Sequence, residues 1–270
     1  MALPDTKPRI LEQLRKVESD ESVRVLFACE SGSRAWGFPS EDSDYDVRFI
    51  YVHPQEWYLS IDLEQRRDVI ERPIVDSLDV SGWDVRKALQ LLHKSNPPLL
   101  EWLGSPIVYI DRGGLADRLR QFAGRFYSPT ACTYHYLHMA RGNVREYLKG
   151  DEVWLKKYFY VLRPLLAIRW IETHDERVPM EFGTLLDGAR VDANVRARID
   201  DLLVRKRAGV ELDKGPKIPE ISEFIETELL RLESVTLEKA GSAGAHEELN
   251  RLFREVVSPN TSRNFLHEPL

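Results

Sequence analysis

Two aspartates spaced two apart, Asp44 and Asp46 in "SDYDVRFIY", are the residues best placed to do chemistry. Successive side chains of an extended strand take opposite faces. Tyr45, Val47, Phe49 and Tyr51 would then form an apolar face, while Asp44, Asp46 and Arg48 share the other. Neighbouring carboxylates repel one another unless a cation or hydrogen-bond donors lie between them. Magnesium, a hard ion satisfied by a few carboxylates plus water and phosphate oxygens, suits such a pair. Upstream, "ESGSRAWG" follows the apolar run Val23–Cys29. Gly32 opens backbone conformations closed to other residues. Amides of such a turn, with the Ser33 hydroxyl, can cradle phosphate oxygens. An exposed edge strand and an ordinary loop would explain each half separately. Together, a phosphate cradle and an acid pair on neighbouring strands make a site for a metal-bound nucleoside triphosphate.

The elements that must hold these residues follow from periodicity. Ile10, Leu11, Leu14 and Val17 recur at helical spacing near the N-terminus. Val23–Cys29 reads as a strand, and a second runs from about Tyr45 to Val52. "RRDVIERPIVDSLDV" reads as two short strands interrupted near Arg72-Pro73, because proline cannot donate within a ladder. From Ser81 the period changes: "SGWDVRKALQLLHKS" reads as a helix ended by "NPP" at Asn96. "SNPPLLEWL" reads as a structural connection, and "SPIVYID" as an edge strand. Helical patterns then cover about 114–126, 129–148, 152–173, 193–207, 218–238 and 245–256, with "AGSAG" at 240–244 as a short linker. The fold class expected is α+β: a small mixed sheet in 1–112, followed by an all-helical domain in 113–270.

Composition sets outer bounds. The chain has 270 residues, 43% hydrophobic and 30% charged, which suits a globular protein with a sizeable core. No apolar run approaches the roughly 20 residues that span a bilayer. The N-terminal stretch lacks the apolar segment of a secretory signal. Two cysteines, Cys29 and Cys132, are too few and too far apart for a disulfide framework or a structural zinc site. A cytoplasmic protein is expected. The net charge of −6 argues against a surface coated by nucleic acid but leaves room for a local basic groove.

"GSRAWG…SDYD" resembles the signature of the DNA polymerase β-like nucleotidyltransferase superfamily: Gly-Ser, a short spacer to glycine, then D-x-D on the next strand. More narrowly, "GSRAWGFPSEDSDYDVRFIYV" with "GWDVRKALQLLHKSNPPLLEWLGSPIVY" resembles the RNA ligase-associated, RlaP-like predicted nucleotidyltransferases. That resemblance implies a polymerase β-like catalytic domain whose Gly32 and Ser33 hold the triphosphate of an NTP. It implies that Asp44 and Asp46 ligate two Mg²⁺ (or Mn²⁺) ions. A third acid is implied on a later strand: Asp79 in "LDV", with Asp76 as competitor and Asp84 weaker because its surroundings read as helical. The implied reaction moves an NMP from an NTP to a hydroxyl acceptor and releases pyrophosphate, with links to RNA repair or end processing and to an RNA ligase. A non-catalytic NTP-binding regulatory protein and a metal-dependent phosphohydrolase remain as alternatives on the same fold.

Nearby cations complete the reading. Arg34 could neutralise phosphate charge. Arg48, on the aspartate face, could pair with the acids or contact the nucleotide. Within the helical half, Arg141, Arg145 and Lys149 share a face by their four-residue spacing. Lys156, Lys157, Arg163 and Arg169 follow, interleaved with Tyr158, Tyr160 and Trp170. Such a mixture could bind triphosphate and base or an RNA end, or could be a solvated helix surface over an aromatic core. Pro164 should kink that helix, and Lys157 and Arg163 are its expected phosphate contacts. Glu30, Glu41 and Asp42 read as loop residues.

Overall fold

A computed structural model describes residues 6–174, 176–209, 212–233 and 245–258. The expected linker at 240–244 and the end of the pattern at 218–238 lie outside them. The described residues form two compact units: 6–32, 44–127 and 245–258 in the first, 33–43 and the described part of 128–233 in the second.

The first unit is built on five strands: β1 (Arg24–Glu30), β2 (Tyr45–Val52), β3 (Val69–Glu71), β4 (Leu78–Asp84) and β5 (Val108–Asp111). Their order across the sheet is β3-β4-β2-β1-β5, with β2 and β4 parallel and the other pairs antiparallel. This is the expected mixed sheet. The apolar alternation of β2 is realised: Val47, Phe49 and Tyr51 pack with Ile10, Leu14 and Val17 of helix α1 (Thr6–Glu21). The opposite face, reached by Ile50 and Val52, is covered by α4 (Val85–His93), α5 (Pro97–Leu103), α6 (Leu115–Phe126) and, from the far end of the chain, α12 (Ala245–Val257). Short helices α2 (Gly32–Ala35) and α3 (Gln55–Tyr58) follow β1 and β2.

Two boundaries differ from the sequence reading. β4 runs on through Ser81–Asp84, alternating buried and half-buried side chains, and the helix begins only at Val85. Gly82 explains why: it lies under the Phe49 ring, where a Cβ would clash, so this glycine serves a close approach within the sheet. "NPPLLEW" forms its own helix, α5, because Asn96 accepts the Leu99 amide as N-cap and Pro97 occupies the first turn, where its missing donor does no harm.

The second unit comprises α7 (Pro129–Tyr147), the ribbon β6 (Glu152–Trp154) and β7 (Lys214–Pro216), and α8 (Tyr158–Thr173), α9 (Phe182–Gly188), α10 (Ala193–Arg207) and α11 (Pro219–Glu233). Segment 33–43 belongs to it: Phe38 packs against Phe159 and Phe182, and Lys206 donates to Ser40 at 2.9 Å. The single helix expected over 152–173 is therefore a strand, a 3-10 turn (Leu155–Lys157) and α8. Both cysteines are buried, and among the described residues they form no disulfide. Among the described residues no helix is long and apolar enough to cross a membrane.

Candidate active site

Asp46 occupies the second position of β2. Parallel pairing with β4 sets it opposite Asp79, residue for residue, as the register also sets Arg48 opposite Ser81. Adjacent strands lie about 4.8 Å apart, so side chains of register partners on one face are neighbours. Arg48 lies two residues along on the same face. Its guanidinium reaches Asp46 Oδ1 at 3.2 Å and Asp79 Oδ2 at 2.8 Å, and also donates to the carbonyls of Asp79 (3.0 Å) and Val47 (3.2 Å). The acid side chains are 26% and 30% exposed, open enough to meet a ligand. Asp44 lies just before the strand and is exposed. Of the two readings offered for Arg48, pairing with the acids is the one seen.

Gly32 adopts a left-handed conformation, φ +57°. A Cβ there would fall inside 3.0 Å of the Asp46 carboxylate. The position therefore needs glycine on two grounds, backbone conformation and space. The preceding amide, Ser31 N–H, donates to the Asp46 carbonyl at 2.8 Å. The turn of the motif is thus folded directly against its second aspartate.

The competing acids are elsewhere. Asp76 is an exposed residue at φ +50° and pairs with Arg9 at 3.2 Å. Asp84 is buried as the N-cap of α4, accepting from Arg86 N–H (2.7 Å) and Tyr58 O–H (2.6 Å). Burial pushes its carboxyl up to about 6, against the opposing pull of the Tyr58 and Arg86 hydrogen bonds. Asp79 alone of the three stands beside Asp46.

Glu30 is not a loop residue. It ends β1, is wholly buried, and its Oε1 accepts the Asp46 amide at 2.8 Å while Tyr109 O–H donates to Oε2. Burial, and after it the Glu30 charge, push the Tyr109 phenol far up, so that it remains a donor.

The remaining expected contacts belong to the second unit. Ser33 accepts the Phe38 amide on its carbonyl at 3.0 Å, and Arg34 donates to the Ser43 carbonyl at 2.6 Å, closing the 33–43 loop. Lys157 lies over the rings of Tyr147 and Tyr160 at 4.5 and 4.4 Å; burial and the neighbouring Lys156 lower its pKa. Arg163 is only 2% exposed. It donates to the carbonyls of Met180 (3.0 Å) and Pro179 (3.2 Å) and lies 5.0 Å from the Trp36 ring. The expectation of a phosphate contact there is corrected: from this position the side chain braces the unit's interior. The basic and aromatic residues of α8 also separate, since Tyr158 and Trp170 are buried and Arg169 pairs with Glu228 at 2.6 Å.

As a cation site the donor set is chemically apt, with hard carboxylate oxygens on neighbouring strands. Arg48 fills the place between two of them. Among the described residues no three His, Cys, Asp or Glu side chains are gathered closely enough to hold a metal ion as they stand.

With this geometry in hand, comparison with known proteins is decisive at the level of family. Residues 6–255 match the family described as "RlaP: RNA repair pathway DNA polymerase beta family". The chain belongs to that family. It is 52% identical over 252 residues to a Bacillus subtilis (strain 168) protein described as "Uncharacterized protein YcgL", covering 93% of this chain and 96% of the relative. A crystal structure of a nucleotidyltransferase-like protein from Exiguobacterium sibiricum 255-15 aligns over 95% of this chain and 91% of its own, at 13% identity and a TM-score of 0.30. A likeness of that size carries no argument. Family membership places the chain among the polymerase β-like nucleotidyltransferases, and Gly32, Asp46 and Asp79 lie together in the first unit.

Proposed function

We propose that the protein is a nucleotidyltransferase that moves a nucleoside monophosphate from an NTP to a hydroxyl acceptor. One observation carries this reading beyond the family: the Gly32 backbone, Asp46 and Asp79 converge at the mouth of one parallel strand pair. Asp44, Asp46 and Asp79 would hold Mg²⁺ or Mn²⁺, two ions in this reading, which when bound supply charge neutralisation at the entering and leaving oxygens. The chain's own residues do the rest. Amides at Gly32 and Ser33 hold phosphate oxygens. The acceptor hydroxyl attacks the α-phosphate, forming a new P–O bond as the bond to the β-phosphate breaks. Its proton passes to a carboxylate of the cluster, Asp79 by position, and pyrophosphate leaves. Arg48 must yield the acids to the cation and is then free to meet phosphate. An RNA end is the acceptor favoured by the family's RNA repair description, and functional association with an RNA ligase is part of the same proposal.

Arg48 also supports a second reading. A guanidinium that already neutralises both acids suits a regulatory NTP-binding protein that no longer catalyses. Equilibrium dialysis of labelled ATP and GTP with and without Mg²⁺ tests the shared premise. Asp44→Asn should weaken Mg²⁺-dependent binding by about tenfold, the scale of a lost charge-assisted contact. Unchanged binding would mean that the metal site lies elsewhere.

A further inference from the structure

The mechanism above does not use Glu30, yet Glu30 is a wholly buried carboxylate directly behind Asp46. A buried carboxylate costs several kcal/mol in lost hydration unless donors compensate it. Such a group in place of a neutral side chain calls for a reason.

The strand pairing supplies one. In the β1/β2 ladder Glu30 stands opposite Val47, the last paired step before the chain turns through Ser31 and Gly32. The Asp46 amide lies one residue beyond that step, and its hydrogen bond goes to a side chain and not to the neighbouring backbone. The Glu30 side chain takes over: Oε1 accepts the Asp46 amide at 2.8 Å, as a strand carbonyl would. On the same edge of β2, Ser31 N–H donates to the Asp46 carbonyl at 2.8 Å. Glu30 is itself fixed at three further points. Tyr109 of β5 donates to Oε2, Ser105 Oγ donates to its carbonyl at 2.6 Å, and its amide donates to the Ile107 carbonyl at 2.9 Å. The consecutive residues Glu30, Ser31 and Gly32 thus touch Asp46 at its amide, its carbonyl and its carboxylate.

We infer that Glu30, held by Tyr109, is a positioning residue that fixes the backbone of Asp46 and thereby the carboxylate the site offers to a divalent cation. The inference rests on the nucleotidyltransferase reading for its consequence, but the clamp itself can be measured without it. Residues that orient metal ligands without touching the metal commonly govern affinity in this way. Glu30 makes no contact with substrate in this account. Its effect passes through Asp46.

The test uses the full-length protein and three variants, Glu30→Ala, Glu30→Gln and Tyr109→Phe. Three quantities are read: hydrogen exchange of the Asp46 amide, Mn²⁺ affinity by water-proton relaxation, and melting temperature. Glu30→Ala should speed Asp46 amide exchange and weaken Mn²⁺ binding by about tenfold or more. Glu30→Gln keeps an oxygen acceptor and should restore amide protection and most of the affinity. Tyr109→Phe should give a smaller loss of both, and it answers the question if Glu30→Ala fails to fold. A merely structural Glu30 would lower the melting temperature while leaving Mn²⁺ affinity and Asp46 exchange of the folded protein unchanged, and that result overturns the inference. Should the wild type show no Mn²⁺ binding sensitive to Asp46→Ala, the nucleotidyltransferase reading fails. The clamp then stands or falls on whether Asp46 exchange responds to Glu30.

Discussion

Asp46 and Asp79, register partners on parallel strands β2 and β4, each give a carboxylate oxygen to the one guanidinium of Arg48. The pair would repel without a cation, so Arg48 holds the place the site is expected to give to a metal. Arg48→Gln should lower stability in EDTA by about 2 kcal/mol, through carboxylates left unpaired and carbonyl bonds lost. Millimolar Mg²⁺ should recover much of that loss in the variant and little in the wild type. Thermal melts with and without Mg²⁺ check this, and equal Mg²⁺ effects on both proteins would mean that the acids do not take up a cation.

Gly32→Ala probes the turn. A Cβ would press on the Asp46 carboxylate, and the left-handed backbone adds strain of about 1 kcal/mol. Because the carboxylate can swing aside, the expected outcome is a folded protein, a few degrees less stable, with Mg²⁺-dependent NTP binding reduced at least tenfold. A melt and a binding isotherm on the same sample separate the two effects.

The two cations of the helical half expected at phosphate should behave differently. Arg163→Met removes a buried guanidinium that braces Pro179 and Met180, and should cost about 3 kcal/mol. NTP affinity of the folded fraction should not change. Lys157→Ala, at a half-buried lysine whose ammonium lies over two tyrosine rings, should cost about 1 kcal/mol. It should weaken NTP binding if the lysine serves phosphate. Urea unfolding alongside binding measurements distinguishes them.

Asp84 makes a pH prediction. Its carboxyl is pushed up to about 6 in the fold, chiefly by burial, above the ordinary value of 3.8. Between those values the folded state binds more protons than the unfolded one, so this group's contribution is full below about pH 4 and is lost as pH rises through 6. Compared with Asp84→Asn, the wild type should lose stability from pH 4 to pH 7, by up to about 3 kcal/mol. A difference that grows in the opposite direction would contradict a buried, proton-retaining Asp84.

Several of these relationships were legible in the residues, for physical reasons. Alternation in "DYDVRFIY" is a local pattern, and it fixes which side of β2 carries Asp46 and Arg48. The demand for glycine at position 32 follows from the local turn, whereas Asp79 was named through the family resemblance, with Asp76 as its competitor. What was not legible depends on distant partners. Glu30 reads as a loop residue until Tyr109, 79 positions away, is seen to hold it. Arg163 reads as a helix-surface cation because its carbonyl partners lie in an irregular stretch 16 and 17 residues on. "SGWDVRKAL" reads as continuous helix, whereas Gly82 under Phe49 and the Asp84 cap keep its first four residues in the sheet. Helix propensity was overridden there by tertiary packing.

The measurement closest to the central claim is transfer of label from α-labelled NTPs in the presence of Mg²⁺, with RNA, DNA, protein and small-molecule hydroxyls offered as acceptors. Label should appear on one acceptor class with an equal amount of pyrophosphate, and Asp46→Ala and Asp79→Ala should each abolish it. Tight Mg²⁺-dependent NTP binding with no transfer to any acceptor, or transfer undiminished in Asp46→Ala, would contradict the account.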